Sequence, residues 1–242
     1  TLTRDHTERM LTNFSHPITK KDNEISTGKA NRLIGCEINI PGDFSSAAYF
    51  IVAAILAPNS NVILENVGIN PTRDAMIEIL RLMGANIEIE NEKLESGEPT
   101  ATIRVKSSDL IGINIPEELV PIAIDELPII LIAAASAKGK TKLSGAGELR
   151  VKESDRIQSM LDGFTTLGIK AEVLNDGMIV EGGQFNGGVI DSNHDHRIAM
   201  AFSIAGIVAR DPIIINNCKN VATSFPEFVN TGKNLGMKID YV

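Results

Sequence analysis

The amino-acid sequence predicts an α/β fold of three βαβαββ units, with parallel helices buried inside and sheets outside. The first observation behind this prediction is a pattern that occurs three times: an amphipathic helix ends, a glycine follows, and then comes an alternating strand. The glycines are Gly84, Gly168 and Gly236, each at the position where helices favour a left-handed C-cap residue. Their spacing is too uneven for a solenoid, so three units of one compact domain are expected.

The second observation is a very apolar, Ala-rich segment near the start of each unit. These segments predict helices over 45–56, 126–137 and 196–209, and helices that are apolar on all sides are normally buried. A short strand and then the amphipathic helix should follow each of them. The expected strands are 61–67, 140–144 and 212–216, and the amphipathic helices should begin near Thr72, Lys152 and Ser224, with Thr72 and Ser224 as N-caps and Pro226 in a first turn.

Two more strands are expected to close each of the first two units. In the first unit these two strands are 86–90 and 101–106. The third unit is cut short at Val242. The repeat domain therefore covers 35–242. Residues 1–34 do not fit the repeat; they predict a helix from Thr7 to Phe14 followed by polar, turn-rich sequence, and are interpreted as the tail of a preceding domain.

Composition and charge exclude several classes of protein. The chain of 242 residues has a formal net charge of -8, which argues against a general binder of nucleic acid or membrane surfaces. An anion would need a local cluster of Arg and Lys. The two cysteines, Cys36 and Cys218, have neither disulfide nor metal-site spacing, so a reducing, cytoplasmic setting is expected. The sequence lacks a run of roughly 18 apolar residues, so no membrane span is predicted.

The segment from Arg150 to Arg156 is the first candidate for chemistry. Lys152 and Arg156 are four residues apart, which predicts one helix face at the N-terminal end of a helix. Cations oppose the helix dipole there, but they fit an anion that is also bound by the free backbone N–H groups. The alternative is a solvated face on which Glu153 and Asp155 pair with the cations.

Two other helix starts carry polar residues. Arg197 opens the third Ala-rich helix, where Asp195 suits an N-cap; His194 and His196 form only a weak metal motif. Asp125 opens the second Ala-rich helix and is either another N-cap or a carboxylate directed into a cleft. Because equivalent helix starts in a repeat should lie on one face, Asp125 is expected near Lys152, Arg156 and Arg197.

Several short segments, taken in order, resemble the enolpyruvyl transferase family and, within it, EPSP synthase. The resemblance covers essentially the whole chain. The segments are Thr3–Leu11, Gly42–Tyr49, Asp125–Pro128, Arg150–Arg156, Asp195–Met200 and Thr223–Pro226. The resemblance implies two domains, each of three βαβαββ units around parallel buried helices, with the substrates in the cleft between them.

The resemblance also implies an activity in the shikimate pathway of aromatic amino-acid biosynthesis. The enolpyruvyl group of phosphoenolpyruvate would move to the 5-hydroxyl of shikimate 3-phosphate through a tetrahedral intermediate, with release of phosphate and with no metal or organic cofactor. Asp125 matches the proton acceptor, and Glu153 a carboxylate in proton transfer at the enolpyruvyl carbon. The implied contacts are Arg4, Asp125 and Lys152 for shikimate 3-phosphate, and Arg156, His196 and Arg197 for phosphoenolpyruvate.

The sequence also departs from the family. Some members have asparagine where Glu148 stands and lysine where Thr223 stands. The family's N-terminal motifs have no counterpart here, which predicts an incomplete active site, with the N-terminal part of the same protein as its partner and a monomer when complete. One alternative is UDP-N-acetylglucosamine enolpyruvyl transferase, which uses a loop cysteine, whereas Cys36 and Cys218 are expected in strand-like or buried positions. Another is a non-catalytic fragment that binds anions.

Overall fold

A computed structural model describes residues 3–22, 24–29 and 32–241. Eight α-helices and ten strands are found in these ranges, together with 3-10 helices at Gly147–Val151 and Cys218–Asn220. The helices are α1 His6–Asn13, α2 Phe44–Leu56, α3 Ala75–Leu82, α4 Leu127–Ser136, α5 Arg156–Thr166, α6 His196–Ala205, α7 Val221–Ser224 and α8 Phe228–Asn234. The strands are β1 Ile18–Lys21, β2 Glu24–Thr27, β3 Asn61–Gly68, β4 Asn86–Glu95, β5 Glu98–Lys106, β6 Lys140–Leu143, β7 Lys170–Leu174, β8 Gly177–Glu181, β9 Gly188–Asp191 and β10 Ile213–Asn216.

Each repeat unit contributes one sheet. The first two sheets are antiparallel, with strand orders β3-β5-β4 and β6-β8-β7, and the third is a parallel pair of β9 and β10. Each βαβαββ unit should begin with a strand. Among the described residues, only the third unit has a complete first strand, which is β9. In the other two it is reduced to single parallel bridges, such as Gly42 with Val67 and Ile111 with Lys138.

The three Ala-rich helices are buried and contact one another, as predicted. Every residue of α4 except Ser136 is buried. The helices start at the same end of the domain, because Arg197 at the start of α6 donates a 2.8 Å hydrogen bond to the carbonyl of Asp125, just before α4. The α6 helix ends at Ala205, four residues earlier than expected, where Gly206 begins a turn with i to i+3 bonds.

The predicted starts of the amphipathic helices were three to four residues too early, since the helices begin at Ala75, Arg156 and Phe228. Thr72 is not an N-cap; its backbone N–H and hydroxyl both bind the side-chain oxygen of Asn70. Ser224 ends α7, and Pro226 precedes α8. The three glycines have positive φ, as a left-handed C-cap requires: 97° at Gly84, 75° at Gly168 and 91° at Gly236.

The strand predicted after Gly236 is absent from the described residues. Met237 and Ile239 pack against the core, so the alternation there reflects burial without strand pairing. In the first 34 residues the predicted helix is confirmed as α1, but the hairpin of β1 and β2 was missed. The helix α1 contacts the repeat units, for example through His6 Nδ1 and Glu98 Oε1 at 2.8 Å. The domain boundary at residue 35 stays a prediction. Among the described residues, no helix is long and apolar enough to span a membrane.

Gly163 in α5 provides a test of how tightly α5 and α6 pack. A Cβ atom there would lie 2.1 Å from Cζ of Phe202 in α6. Replacing a glycine inside a helix by alanine normally stabilises the helix by about 1 kcal/mol. We expect Gly163→Ala to lower the free energy of unfolding instead, by about 1–3 kcal/mol, because the ring of Phe202 has to move. Urea unfolding measures the change.

The matched control is Gly183→Ala, since a Cβ at Gly183 would meet its nearest atom at an ordinary 3.5 Å. Adding Phe202→Leu to Gly163→Ala should recover part of the lost stability. A Gly163→Ala variant more stable than the parent would contradict the predicted steric clash.

Candidate active site

Asp125 lies at the centre of the predicted site residues. Its carboxylate contacts the side chain of Arg4, and three further cations approach it. The distances from its oxygens are 3.8 Å to Nζ of Lys152, 3.7 Å to Nη1 of Arg156 and 3.8 Å to Nη2 of Arg197. We call these five residues the Asp125 cluster. The predicted gathering of Asp125, Lys152, Arg156 and Arg197 at one end of the domain is therefore confirmed.

The cluster sits where three helices begin. Asp43 caps α2 by accepting from the backbone N–H groups of Ser45 and Ser46, and Asp195 caps α6 by accepting from those of Arg197 and Ile198. No side-chain hydrogen bond caps α4, whose N-cap residue is Glu126. Each helix start carries a partial positive charge, so the three together favour an anion, even in a chain of net charge -8.

The charges of the cluster keep Asp125 ionised. Burial alone would raise the pKa of Asp125, but the charges of Arg197, Arg4 and Lys152 outweigh burial and hold the pKa below its ordinary value. An ionised carboxylate can accept a proton, and this one is only 17% exposed. Asp125 is not the N-cap of α4, so the alternative interpretation of this residue is wrong.

Arg156 is the most deeply buried cation of the cluster, with 1% of its side chain exposed. Its Nε donates a 2.8 Å hydrogen bond to Asp195, which is fully buried, and its Nη2 lies 2.5 Å from Glu153. Its Nη1 is buried and has no hydrogen-bond partner among the described residues, while it faces Asp125. A donor in this state is costly unless another acceptor arrives, as a phosphate or carboxylate oxygen would.

Lys152 reaches the cluster differently from the prediction. It does not share a helix face with Arg156, because its backbone is extended and α5 starts only at Arg156. Its ammonium lies between Asp125 and Glu148, which it also contacts. Glu148 is thus part of the surroundings of the site, whereas Thr223 is an exposed residue of α7.

Two carboxylates at the rim are accessible. Glu153 is 49% exposed and Glu148 is 60% exposed, so a bound anion can displace them from Arg156 and Lys152 at little cost. His196 is the first residue of α6 and is half-buried. Burial and then the charge of Arg197 lower the pKa of His196, so its imidazole is neutral near pH 7. Within the described ranges, no three His, Cys, Asp or Glu side chains are grouped to hold a metal ion.

Comparison with known proteins identifies the family. The family model described as EPSP synthase (3-phosphoshikimate 1-carboxyvinyltransferase) matches residues 1–231. The chain belongs to the EPSP synthase family. The 3-phosphoshikimate 1-carboxyvinyltransferase of Methylococcus capsulatus is 54% identical over 238 residues, which are 98% of this chain and 54% of that protein. That of Legionella pneumophila is 54% identical over 239 residues, 99% of this chain and 55% of that protein.

Solved structures agree with this assignment. An EPSP synthase from Acinetobacter baumannii matches with a TM-score of 0.96 at 50% identity, over 99% of this chain and 56% of that one. The enolpyruvyl transferase NikO from Streptomyces tendae has a TM-score of 0.78 at 16% identity, over 100% of this chain and 55% of that one, and shows the fold alone. The chain thus spans about half the length of the EPSP synthase relatives that it matches.

These relatives do not favour the alternative of UDP-N-acetylglucosamine enolpyruvyl transferase. The positions predicted for the two cysteines were partly wrong, however. Cys36 is exposed and lies outside any strand, and Cys218 is half-buried at the start of a 3-10 helix. The assignment to the EPSP synthase family therefore rests on the family model and on sequence identity to the relatives.

Three polar residues beneath the cluster were not predicted from the sequence. Ser45, Arg73 and Glu126 form a layer of hydrogen bonds and ion pairs under Arg197. Glu126 directly follows Asp125, and Ser45 is in the first turn of α2, so their places at two helix starts were a usable signal. Arg73 is in the loop before α3, and no local pattern distinguishes it from a solvated arginine.

Proposed function

We propose that this chain supplies the Asp125 cluster to an EPSP synthase, which transfers the enolpyruvyl group of phosphoenolpyruvate to the 5-hydroxyl of shikimate 3-phosphate. The observation that carries the proposal is one ionised, poorly exposed carboxylate with four cations around it, at the shared start of three helices. Two highly anionic substrates repel each other, and several cations are needed to bring them together. Membership in the EPSP synthase family supports phosphoenolpyruvate and shikimate 3-phosphate as the two anions.

The proposed roles follow the family motifs. Asp125 accepts the proton of the 5-hydroxyl as the hydroxyl oxygen adds to C2 of phosphoenolpyruvate, C3 gains a proton in the same addition, and Glu153 takes part in the proton transfers to and from C3. Phosphate then leaves C2 and a proton leaves C3, which restores the double bond. Shikimate 3-phosphate is held by Arg4, Asp125 and Lys152. Phosphoenolpyruvate is held by Arg156 and Arg197, whose planar forks suit carboxylate and phosphate, with His196 beside them.

The remaining expectations stay predictions. The partner is the part of an EPSP synthase that this chain does not span, the complete enzyme is a monomer in the cytoplasm, and nucleic acid is not a ligand. The non-catalytic alternative predicts anion binding without turnover under all conditions. The two proposals differ in what happens when the missing part is supplied.

We expect negligible turnover from the 242-residue chain alone and clear turnover after the part of the Methylococcus capsulatus relative that it does not span is added. Holding two reactants in position can account for about 7–11 kcal/mol of barrier lowering, and a chain that spans only 54% of its relative supplies only part of the groups that position the two substrates. Phosphate release with both substrates present measures turnover.

The positive control is the same experiment with both parts taken from the relative. Turnover in that control but none in the mixed pair would contradict the proposed function. Turnover by this chain alone would contradict the proposal that it supplies only part of the active site. Replacing shikimate 3-phosphate by UDP-N-acetylglucosamine tests the alternative acceptor, for which we expect no phosphate release.

A further inference from the structure

Glu126 is a buried carboxylate for which the proposed reaction has no role. Its side chain is 0% exposed. Burial raises the pKa of Glu126 above its ordinary value, although Arg197, the hydroxyl of Ser45 and Arg73 act against that rise. A carboxylate in such a place costs folding free energy unless it is paired, so its contacts indicate what it does.

The hydroxyl of Ser45 connects Glu126 to two arginines. The oxygen accepts hydrogen bonds from Nη2 of Arg73 at 2.7 Å and from Nη2 of Arg197 at 3.4 Å. A hydroxyl has one proton, and that of Ser45 is donated to Oε1 of Glu126 at 2.5 Å. The acceptor Glu126 therefore fixes the direction of the Ser45 hydroxyl, which leaves its lone pairs for the two arginines.

Arg197 is thus held on one side by a defined set of acceptors. Its Nη1 donates to the carbonyl of Asp125 at 2.8 Å and lies 3.5 Å from Oε1 of Glu126, while its Nη2 approaches Ser45. Arg73 lies 3.6 Å from the same carboxylate oxygen. Two cations share Glu126, so the carboxylate does not cancel the positive charge that Arg197 presents to the cluster.

We propose that Glu126 is a positioning residue, which holds the guanidinium of Arg197 both directly and through Ser45 in the orientation that binds the anionic group of phosphoenolpyruvate. The inference rests on the proposed function for the identity of the anion. Arg73 is the second cation that allows this carboxylate to remain buried beneath the site.

A simple countercharge would behave in the opposite way. If Glu126 only reduced the positive potential at Arg197, then Glu126→Gln would remove a negative charge and strengthen anion binding. If Glu126 positions Arg197, the same change weakens binding, because the guanidinium loses its fixed orientation. The sign of the effect therefore separates the two explanations, and the near-identical shape of Gln limits the effect on packing.

The kinetic experiment uses the enzyme formed when this chain is combined with the part of the Methylococcus capsulatus relative that it does not span. We expect Glu126→Gln and Ser45→Ala each to raise KM for phosphoenolpyruvate about tenfold, as loss of positioning does, and to leave KM for shikimate 3-phosphate nearly unchanged. In the Arg197→Lys background, Glu126→Gln should add little, since coupled residues are not additive. Glu92→Gln, at an exposed residue of β4, is the matched control.

The second experiment does not require an active enzyme, because it observes Arg197 directly by NMR. In the ¹⁵N-labelled chain, the guanidinium signals of Arg197, assigned by their loss in Arg197→Lys, should show slow rotation in the parent and averaged signals in both variants. Should the completed parent enzyme fail to turn over, the proposed function fails while this experiment still decides the role of Glu126. Unchanged Arg197 signals in both variants, or tighter phosphoenolpyruvate binding by Glu126→Gln, would overturn the proposal. If Glu126→Gln does not fold, Ser45→Ala decides it.

Discussion

Asp125→Asn is expected to lower kcat of the completed enzyme by about 10²–10⁴-fold, the range that general acid–base catalysis typically contributes. The amide keeps the shape of the side chain but cannot take up the proton of the attacking hydroxyl. The carbonyl of Asp125 that accepts from Arg197 belongs to the backbone, so the position of Arg197 is preserved. Since one negative charge disappears among four cations, KM for phosphoenolpyruvate should stay the same or fall. Steady-state kinetics measures both constants.

The matched control is Asp109→Asn. Asp109 is an exposed aspartate that pairs with exposed Lys138 at 3.4 Å. Neither residue belongs to the Asp125 cluster, so replacing Asp109 should leave kcat unchanged. Full kcat in Asp125→Asn would remove Asp125 from proton transfer. A loss confined to KM would instead make Asp125 a binding residue.

Arg156→Met is expected to lower the free energy of unfolding by about 3–5 kcal/mol, because breaking a buried ion pair leaves the partner charge without compensation. The partner is Asp195, which is fully buried. Burial by itself raises the pKa of Asp195, and the hydrogen bond and charge of Arg156 are the main factors that hold the pKa below its ordinary value. Urea unfolding of the chain measures the loss.

Two further variants make this result specific. Arg150→Met removes an arginine that is 31% exposed, pairs with Asp155 at 2.9 Å and donates to the carbonyls of Leu174 and Asn175. It should cost less than Arg156→Met, because its ion pair is partly exposed and is worth about 1 kcal/mol or less. Adding Asp195→Asn to Arg156→Met should recover part of the loss, because asparagine is uncharged and still caps a helix well. If Arg150→Met and Arg156→Met lowered the free energy of unfolding equally, the buried pair of Arg156 and Asp195 would contribute no more than a partly exposed one.

Much of the fold was predictable because the repeat encodes it in burial patterns. The three apolar helices have almost no polar residue on any face. The three C-cap glycines mark the ends of the amphipathic helices, because glycine readily adopts the left-handed conformation found there. The starts of the amphipathic helices were less predictable, since they depend on competing local bonds. Thr72 suits an N-cap by residue type, but the side chain of Asn70 occupies its hydroxyl and N–H.

The candidate site was predictable only in part. Repeat symmetry alone, without any side-chain detail, predicted that Asp125, Lys152, Arg156 and Arg197 lie at one end of the domain. It could not show that Arg156 is buried on Asp195, or that the carboxylate of Glu126 lies under Arg197. Those contacts join residues 39 and 71 positions apart in the chain, and their partners follow from packing rather than from local pattern.

Because three helices begin at the same place, the cluster also affects how the domain unfolds locally. Ser45, Glu126 and Arg197 come from three different units, and a single hydroxyl and a single carboxylate join them. An anion bound to the cluster would be released when any one unit unfolds locally, so its binding energy adds to the cost of every such opening. Occupancy of the site would then slow amide hydrogen exchange in all three units together, and the repeat would behave as one cooperative body.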